Sequence, residues 1–211
     1  MTAFLHQHMH ELLRLTFEHL WLTASAMFFA ALIAIPAGIW LTRHERWAGP
    51  VIGLANVVQT IPSLALFGLL LPVPWLGEDS ARLAILALTG YAVLPIVRNT
   101  YTGIRGIDPA LIDVSIALGM SGIQRLLKVE LPLSAGVLLA GFRTATVTCI
   151  GVATIAAAIG AGGLGEFIFR GVASVDNRFV LLGAVPAALL ALVADASLGW
   201  LERHIALRGA A

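Results

Sequence analysis

Three sets of residues in this 211-residue chain carry groups that could do chemistry, and most of them sit in or beside apolar runs. Gln59, Thr60 and Ser63 crowd around Pro62 in the middle of one hydrophobic stretch. Proline withholds a backbone N–H and so frees a carbonyl. An amide, two hydroxyls and that carbonyl can hydrogen-bond a passing polar solute, or they can join neighbouring helices. Arg143 and Asp195 stand in two further apolar stretches. A charge there needs a counter-charge or water. The expectation is that the two meet and fix the cytoplasmic half of a helix bundle. The alternative is that Arg143 reaches lipid headgroups while Asp195 faces a wet cavity. His6, His8, His10 and Glu11 have the residue types of a metal site, with His6 and His10 one helical turn apart. The expectation is the plainer one, a frayed polar N-terminus and no metal. No nucleophile motif or catalytic dyad stands out, so the chemistry is that of binding and passage and no enzyme is expected.

One glycine-rich run, Gly160-Ala161-Gly162-Gly163-Leu164-Gly165, is too flexible for a helix interior. It is expected to end a helix and to let backbones pack closely. It does not read as a phosphate cradle. Lys128 is the only lysine, and Leu127 precedes it where a nucleotide-binding P-loop needs glycine. Any nucleotide energy must therefore come from a partner.

The elements that position these residues follow from composition. Hydrophobic residues make up 59%, charged residues 12%, and mean hydropathy is +0.91. Soluble domains carry about 25% charged residues, so part of this chain's solvent is lipid. A net charge of +1 gives no case for nucleic acid. The lone Cys149 lies in an apolar run and is expected to be an inert core residue. A hydrocarbon layer about 30 Å thick needs about 20 helical residues. Five stretches qualify, at about 20–41, 50–71, 81–102, 133–159 and 179–201. The expected fold is an all-α polytopic bundle forming a single transmembrane domain over 1–211. The first stretch is not a leader peptide, being too long and preceded by Glu11 and Glu18. Arg43, Arg46, Arg98, Arg105, Arg125, Lys128, Arg203 and Arg208 fall on one side, against Arg14, Arg82, Arg170 and Arg178 on the other. The richer side is cytoplasmic, which puts the N-terminus outside and the C-terminus inside. Trp21, Trp40, Trp47, Trp75 and Trp200 lie near span ends, as an interfacial belt requires.

The segment 108–132 breaks the apolar pattern. Asp108-Pro109 starts a helix with a cap and a proline at its first turn. Gly119 ends it, and Ser121-Gly122-Ile123-Gln124 reads as a capping box for a second start. The expectation is two short helices, bent at Gly119 and lying across the cytoplasmic surface, with Pro132 opening the fourth span. They dock another protein, or they rest an apolar face on lipid.

The order Asp113-Val114-Ser115, Gly119, Val129, Leu131-Pro132 resembles the Glu-Ala-Ala loop of ABC importer permeases. Asp113, Val114 and Ser115 stand at the Glu-Ala-Ala positions, Gly119 at the glycine and Val129 at the isoleucine, while Leu131 and Pro132 match outright. Asp for Glu keeps the charge but shortens its reach. Four further stretches are similar to the osmoprotectant branch (glycine betaine, carnitine, choline) of binding-protein-dependent type I importers. They are Gln59–Ala65, Leu94–Gly103, Gly141–Thr146 and Ile159–Gly165.

That resemblance implies a five-span permease fold in a bacterial inner membrane. It also implies a coupling loop that enters a groove on a cytoplasmic ATP-binding subunit. The expected coupling residues are Asp113, Val114, Ser115, Gly119, Val129, Leu131 and Pro132. The expected pathway residues are Gln59, Thr60, Pro62, Ser63, Asn99, Arg143 and Asp195. Implied partners are two ATP-binding subunits, a second permease chain (identical or homologous) and an external substrate-binding protein, all around a lipid bilayer. No cofactor is expected in this chain, with ATP and Mg²⁺ held by the partner. The implied function is ATP-driven import of quaternary ammonium osmoprotectants. Two alternatives stay open: import of another small solute such as an amino acid, or secondary transport without ATP.

Overall fold

In the computed structural model the backbone is described for residues 2–209 and the side chains for 4–205; Arg208, counted above, lies outside the described side chains. The described chain is all α. Helix α1 is Thr2–Arg43, α2 Glu45–Thr60, α3 Ser63–Leu70, α4 Pro74–Gly77 and α5 Ser80–Arg105. Helix α6 is Pro109–Ala117 and α7 Gly122–Arg125. A π turn, Leu126–Glu130, leads into α8, Leu131–Ala156, which closes in a 3₁₀ turn, Ala157–Ile159. Helices α9, Gly165–Ser174, and α10, Asn177–Gly209, complete the chain. Four stretches are long and apolar enough to cross a membrane, and α2 with α3 forms a bent fifth.

Small residues hold the centre together. Ala26, Ala30 and Ala34 of α1 meet Ala84, Ala87 and Leu88 of α5, with Ala145, Cys149 and Ala153 of α8 in the same buried cluster. In lipid there is little hydrophobic drive between helices, so close van der Waals approach does the work. Gly141 marks a close crossing of α8 on α5. A Cβ there would come within 2.7 Å of the Pro95 carbonyl oxygen and 2.5 Å of Asn99 Cβ.

Four expectations change. The N-terminus is not frayed: α1 is 42 residues long, about 63 Å at 1.5 Å per residue, twice the hydrocarbon thickness. Its first turns are held because Phe4, Leu5, Leu12 and Leu15 pack on Leu164, Phe167, Phe179 and Leu182. His8 approaches Glu11 at 3.3 Å, and Glu11 accepts from Arg170 at 2.7 Å. Helix α9 was not anticipated; its ten residues follow the glycine run, whose Gly160, Gly162 and Gly163 all have positive φ and end the fourth span. The second short helix is not a separate surface element, because the π turn carries α7 directly into α8. Finally, the second stretch is not one continuous helix but breaks into two.

That break has a local cause. Ile61 and Pro62 are extended, with ψ of 125° and 131°, and α2 and α3 meet at 97°. Proline pushes its predecessor out of the helical region and removes a ladder bond. Tyr91 of α5 then fastens the break, its hydroxyl donating to the Ile61 carbonyl while Gln59 Nε2 donates to the Tyr91 carbonyl at 2.8 Å.

Candidate functional site

The broken second span, α5 and α8 enclose an open cavity of about 650 Å³. Gln59, Thr60, Pro62 and Ser63 line it from the break, Tyr91, Arg98 and Asn99 from α5, and Thr144, Thr148 and Val152 from α8. Five of the seven expected pathway residues therefore share one wall. Their donors are mostly committed to backbone: Thr60 Oγ1 to Val57 at 2.7 Å, Asn99 Nδ2 to Pro95 at 2.8 Å and Thr144 Oγ1 to Ala140 at 2.9 Å. What faces the cavity is neutral and hydrogen-bonding, with Arg98 the one charged residue of the lining. Such a wall can hold a polar solute briefly, which suits passage.

Arg143 and Asp195 lie elsewhere but do meet. Arg143 Nε donates to Asp195 Oδ1 at 2.6 Å and Nη2 to Oδ2 at 2.8 Å. Glu202, about two turns further along the same face of α10, takes Nη1 at 3.3 Å. The guanidinium has room because Gly199 faces it: a Cβ there would stand 2.9 Å from Nη1. This trio lines a second cavity of about 320 Å³ that shares Thr144 and Thr148 with the first.

Away from the cavities, the segment 108–132 forms an elbow whose two helix starts are capped as expected. The Asp108 side chain accepts from Ala110 N, and Ser121 and Gln124 form the reciprocal capping box. Gly119 has φ of +72°, a left-handed conformation that ends α6 before α7 begins. Of the expected coupling residues, Asp113, Val114, Gly119 and Pro132 are exposed, Val129 and Leu131 are half-buried, and Ser115 is buried with its hydroxyl on the Ile112 carbonyl at 2.6 Å. Around them the surface is apolar: Leu118 and Ile123 are each 71% exposed, and Leu111, Val114 and Leu127 are also bare.

Sequence reasoning missed several residues here. Tyr91 and Arg98 gave no local signal that they would meet the break. Thr144 and Thr148 did, since they recur four apart on one face of an apolar helix. Glu130 also did, as a lone acid between Val129 and Leu131 inside the matched pattern. Its carboxylate is buried and accepts from Arg43 and, at 2.9 Å, from Arg125.

Comparison with known proteins adds the following. Residues 34–207 match the family described as binding-protein-dependent transport system inner membrane component. The carnitine transport permease protein OpuCD of Listeria monocytogenes serotype 1/2a (strain 10403S) is 45% identical over 189 residues, covering 89% of this chain and 83% of the relative. The glycine betaine/carnitine/choline transport system permease protein OpuCB of Bacillus subtilis (strain 168) is 42% identical over 209 residues, covering 99% and 95%. Among solved structures, the MetNI methionine ABC transporter in an inward-facing conformation contains a chain 25% identical. The overlap covers 93% of this chain and 97% of that one, with a TM-score of 0.80.

Proposed function

The chain belongs to the binding-protein-dependent transport system inner membrane component family, and on that premise we propose that it imports quaternary ammonium osmoprotectants: glycine betaine, carnitine or choline. It is a multi-pass transmembrane permease subunit of an ABC importer. The observation that carries the substrate reading is the hydrogen-bonding cavity at the Pro62 break, uncharged apart from Arg98, taken with relatives named for these solutes.

The cavity lining has a single aromatic ring, Tyr91, whose hydroxyl is tied to Ile61. Quaternary ammonium ions are gripped tightly by aromatic cages through cation–π attraction. A wall with one ring releases such a solute easily, so tight capture belongs to an external binding protein. A second permease chain covers the open side of the cavity. Cytoplasmic subunits bind ATP and Mg²⁺ and press on the elbow through Val114, Leu118 and Ile123, whose exposure in water is otherwise costly. Nucleotide binding then shifts a two-state bundle by its differential affinity for the two states. The excess of Arg and Lys on the elbow side orients the N-terminus outward and the C-terminus inward.

The test is uptake by proteoliposomes carrying this chain with its ATP-binding and solute-binding partners. Labelled glycine betaine, carnitine and choline are expected to accumulate only with ATP and binding protein present. Uptake of methionine alone would replace the substrate class. Uptake without nucleotide, with no ATP-binding subunit co-purifying, would overturn the importer.

A further inference from the structure

Glu130 is the most deeply buried acid of the described residues, with 1% of its side chain exposed. It is the last residue of the π turn between the elbow and the fourth span. Its two oxygens serve different parts of the molecule. One accepts from Nη2 of Arg43, the final residue of α1; the other accepts from Nε of Arg125, the final residue of α7, at 2.9 Å. Its backbone carbonyl takes the Ser134 hydroxyl of α8 at 2.6 Å. One residue thus ties the foot of span one, the end of the elbow and the start of span four.

The surroundings make this tie consequential. Helix α6 stands clear of the bundle, with only Ser115 buried. Among the described side-chain hydrogen bonds and ion pairs of α6 and α7, the one that leaves the two helices is Arg125 on Glu130. The π turn widens the backbone where the carboxylate turns inward, a distortion that recurs at functional sites. By contrast the pair Arg105–Glu45 nearby, at 2.5 Å, has both side chains about half exposed, and water weakens it. A carboxylate shut away from water holds its partners far more firmly, because each alternative leaves a charge bare.

We propose that Glu130 is the positioning residue that makes span one follow the elbow. When the elbow is moved from the cytoplasmic side, Arg125 pulls on Glu130, and Glu130 carries Arg43 and α1 with it. This rests on reading the elbow as the place where an ATP-binding subunit docks. Glu130, Arg43 and Arg125 lie outside the exposed apolar face that would make that contact, so the tie can be cut without changing the docking surface.

The experiment measures solute imported per ATP hydrolysed by the full transporter in proteoliposomes. Arg43→Gln and Arg125→Gln are the first variants, because both side chains are partly exposed and their loss leaves Glu130 one partner. Each is expected to keep nucleotide hydrolysis and lose about tenfold in solute per ATP, with lysine at the same position restoring part of it. Glu130→Gln is expected to do the same wherever the complex assembles. If uptake and hydrolysis fall together in proportion to assembled complex, the residues are structural only and the proposal is wrong. A ratio unchanged within about twofold in both arginine variants overturns it equally. Val114→Glu in the docking face separates the two ideas. If that variant uncouples the transporter and the arginine variants do not, only the tie fails; if it changes nothing, the docking reading fails.

Discussion

The two ionic clusters of this molecule are near mirror images in composition and opposite in setting. At the elbow, one carboxylate, Glu130, holds two guanidinium groups, and it is 1% exposed. Beside the cavity, one guanidinium, Arg143, holds two carboxylates, Asp195 and Glu202, with side chains 34%, 42% and 28% exposed. The first carries a net positive charge and is dry at its centre. The second carries a net negative charge and borders open space. A dry ion pair is costly to break because the survivor stays buried. A wet pair can be loosened cheaply, since water replaces the lost partner. The molecule thus pins the elbow end of its bundle firmly and joins spans four and five, next to the cavity, with a weaker clasp.

Removing the central residue of each cluster sharpens this contrast. Glu130→Ala is expected to destabilise the detergent-solubilised protein by about 2–3 kcal/mol, read as a clear drop in melting temperature, because it removes an acceptor of two charge-assisted hydrogen bonds. Arg143→Ala should lower the melting temperature by less than Glu130→Ala does, and exchanging the charges of Arg143 and Asp195 together should recover most of that loss. Equal losses at the two sites would break the comparison.

On the cavity wall, Gln59→Ala removes the amide that donates to the Tyr91 carbonyl at 2.8 Å. Losing that tie between the break and α5 is expected to cost about 1 kcal/mol of stability and, by loosening the cavity wall, to raise the KM for uptake with ATP turnover unaltered. A change in turnover without a change in KM would place Gln59 in the coupling machinery instead. The exposed Glu45–Arg105 pair is expected to matter least among the ion pairs at the elbow end of the bundle. Glu45→Gln should shift stability by no more than about 0.5 kcal/mol, seen as an unchanged melting curve.

The smallest effect is expected at the turn before α10. The guanidinium of Arg178, helped by the Arg178 backbone N–H, holds the Asp176 carboxyl below its ordinary value of 3.8. A lowered carboxylate pKa contributes stability above the unfolded value and loses it only as pH falls through the folded one. Uptake and melting of Asp176→Asn and the unaltered chain should therefore track each other from neutral pH down to about 5. A divergence within that window would assign Asp176 a role beyond the turn.

Much of this architecture was legible in the chain because its causes are local. Apolar runs of about 20 residues can only be spans in lipid. Asp108-Pro109 and Ser121 to Gln124 carry their own capping chemistry, and Gly119 supplies the positive φ that the elbow needs. Pro62 announced a distortion, although its 97° size depended on Tyr91 and α5 closing over the break. Less legible was whatever needed a distant partner. The N-terminal turns look polar and frayed until Phe167, Phe179 and Leu182 are brought against Phe4 and Leu12. Helix α9 follows a glycine run that reads as an ending.

Sequence alone determined that this chain lives in a membrane, how many times its apolar runs can cross it, and where a capped surface elbow interrupts them. Those features are written in composition and short spacing, which act within a few residues. Only the tertiary structure decided that Gln59, Asn99 and Thr148 share one cavity, and that Arg43 and Arg125 converge on Glu130 across 87 and 5 residues of sequence. Helices in lipid choose their neighbours by close fit of small residues, and that fit cannot be read from any one helix by itself.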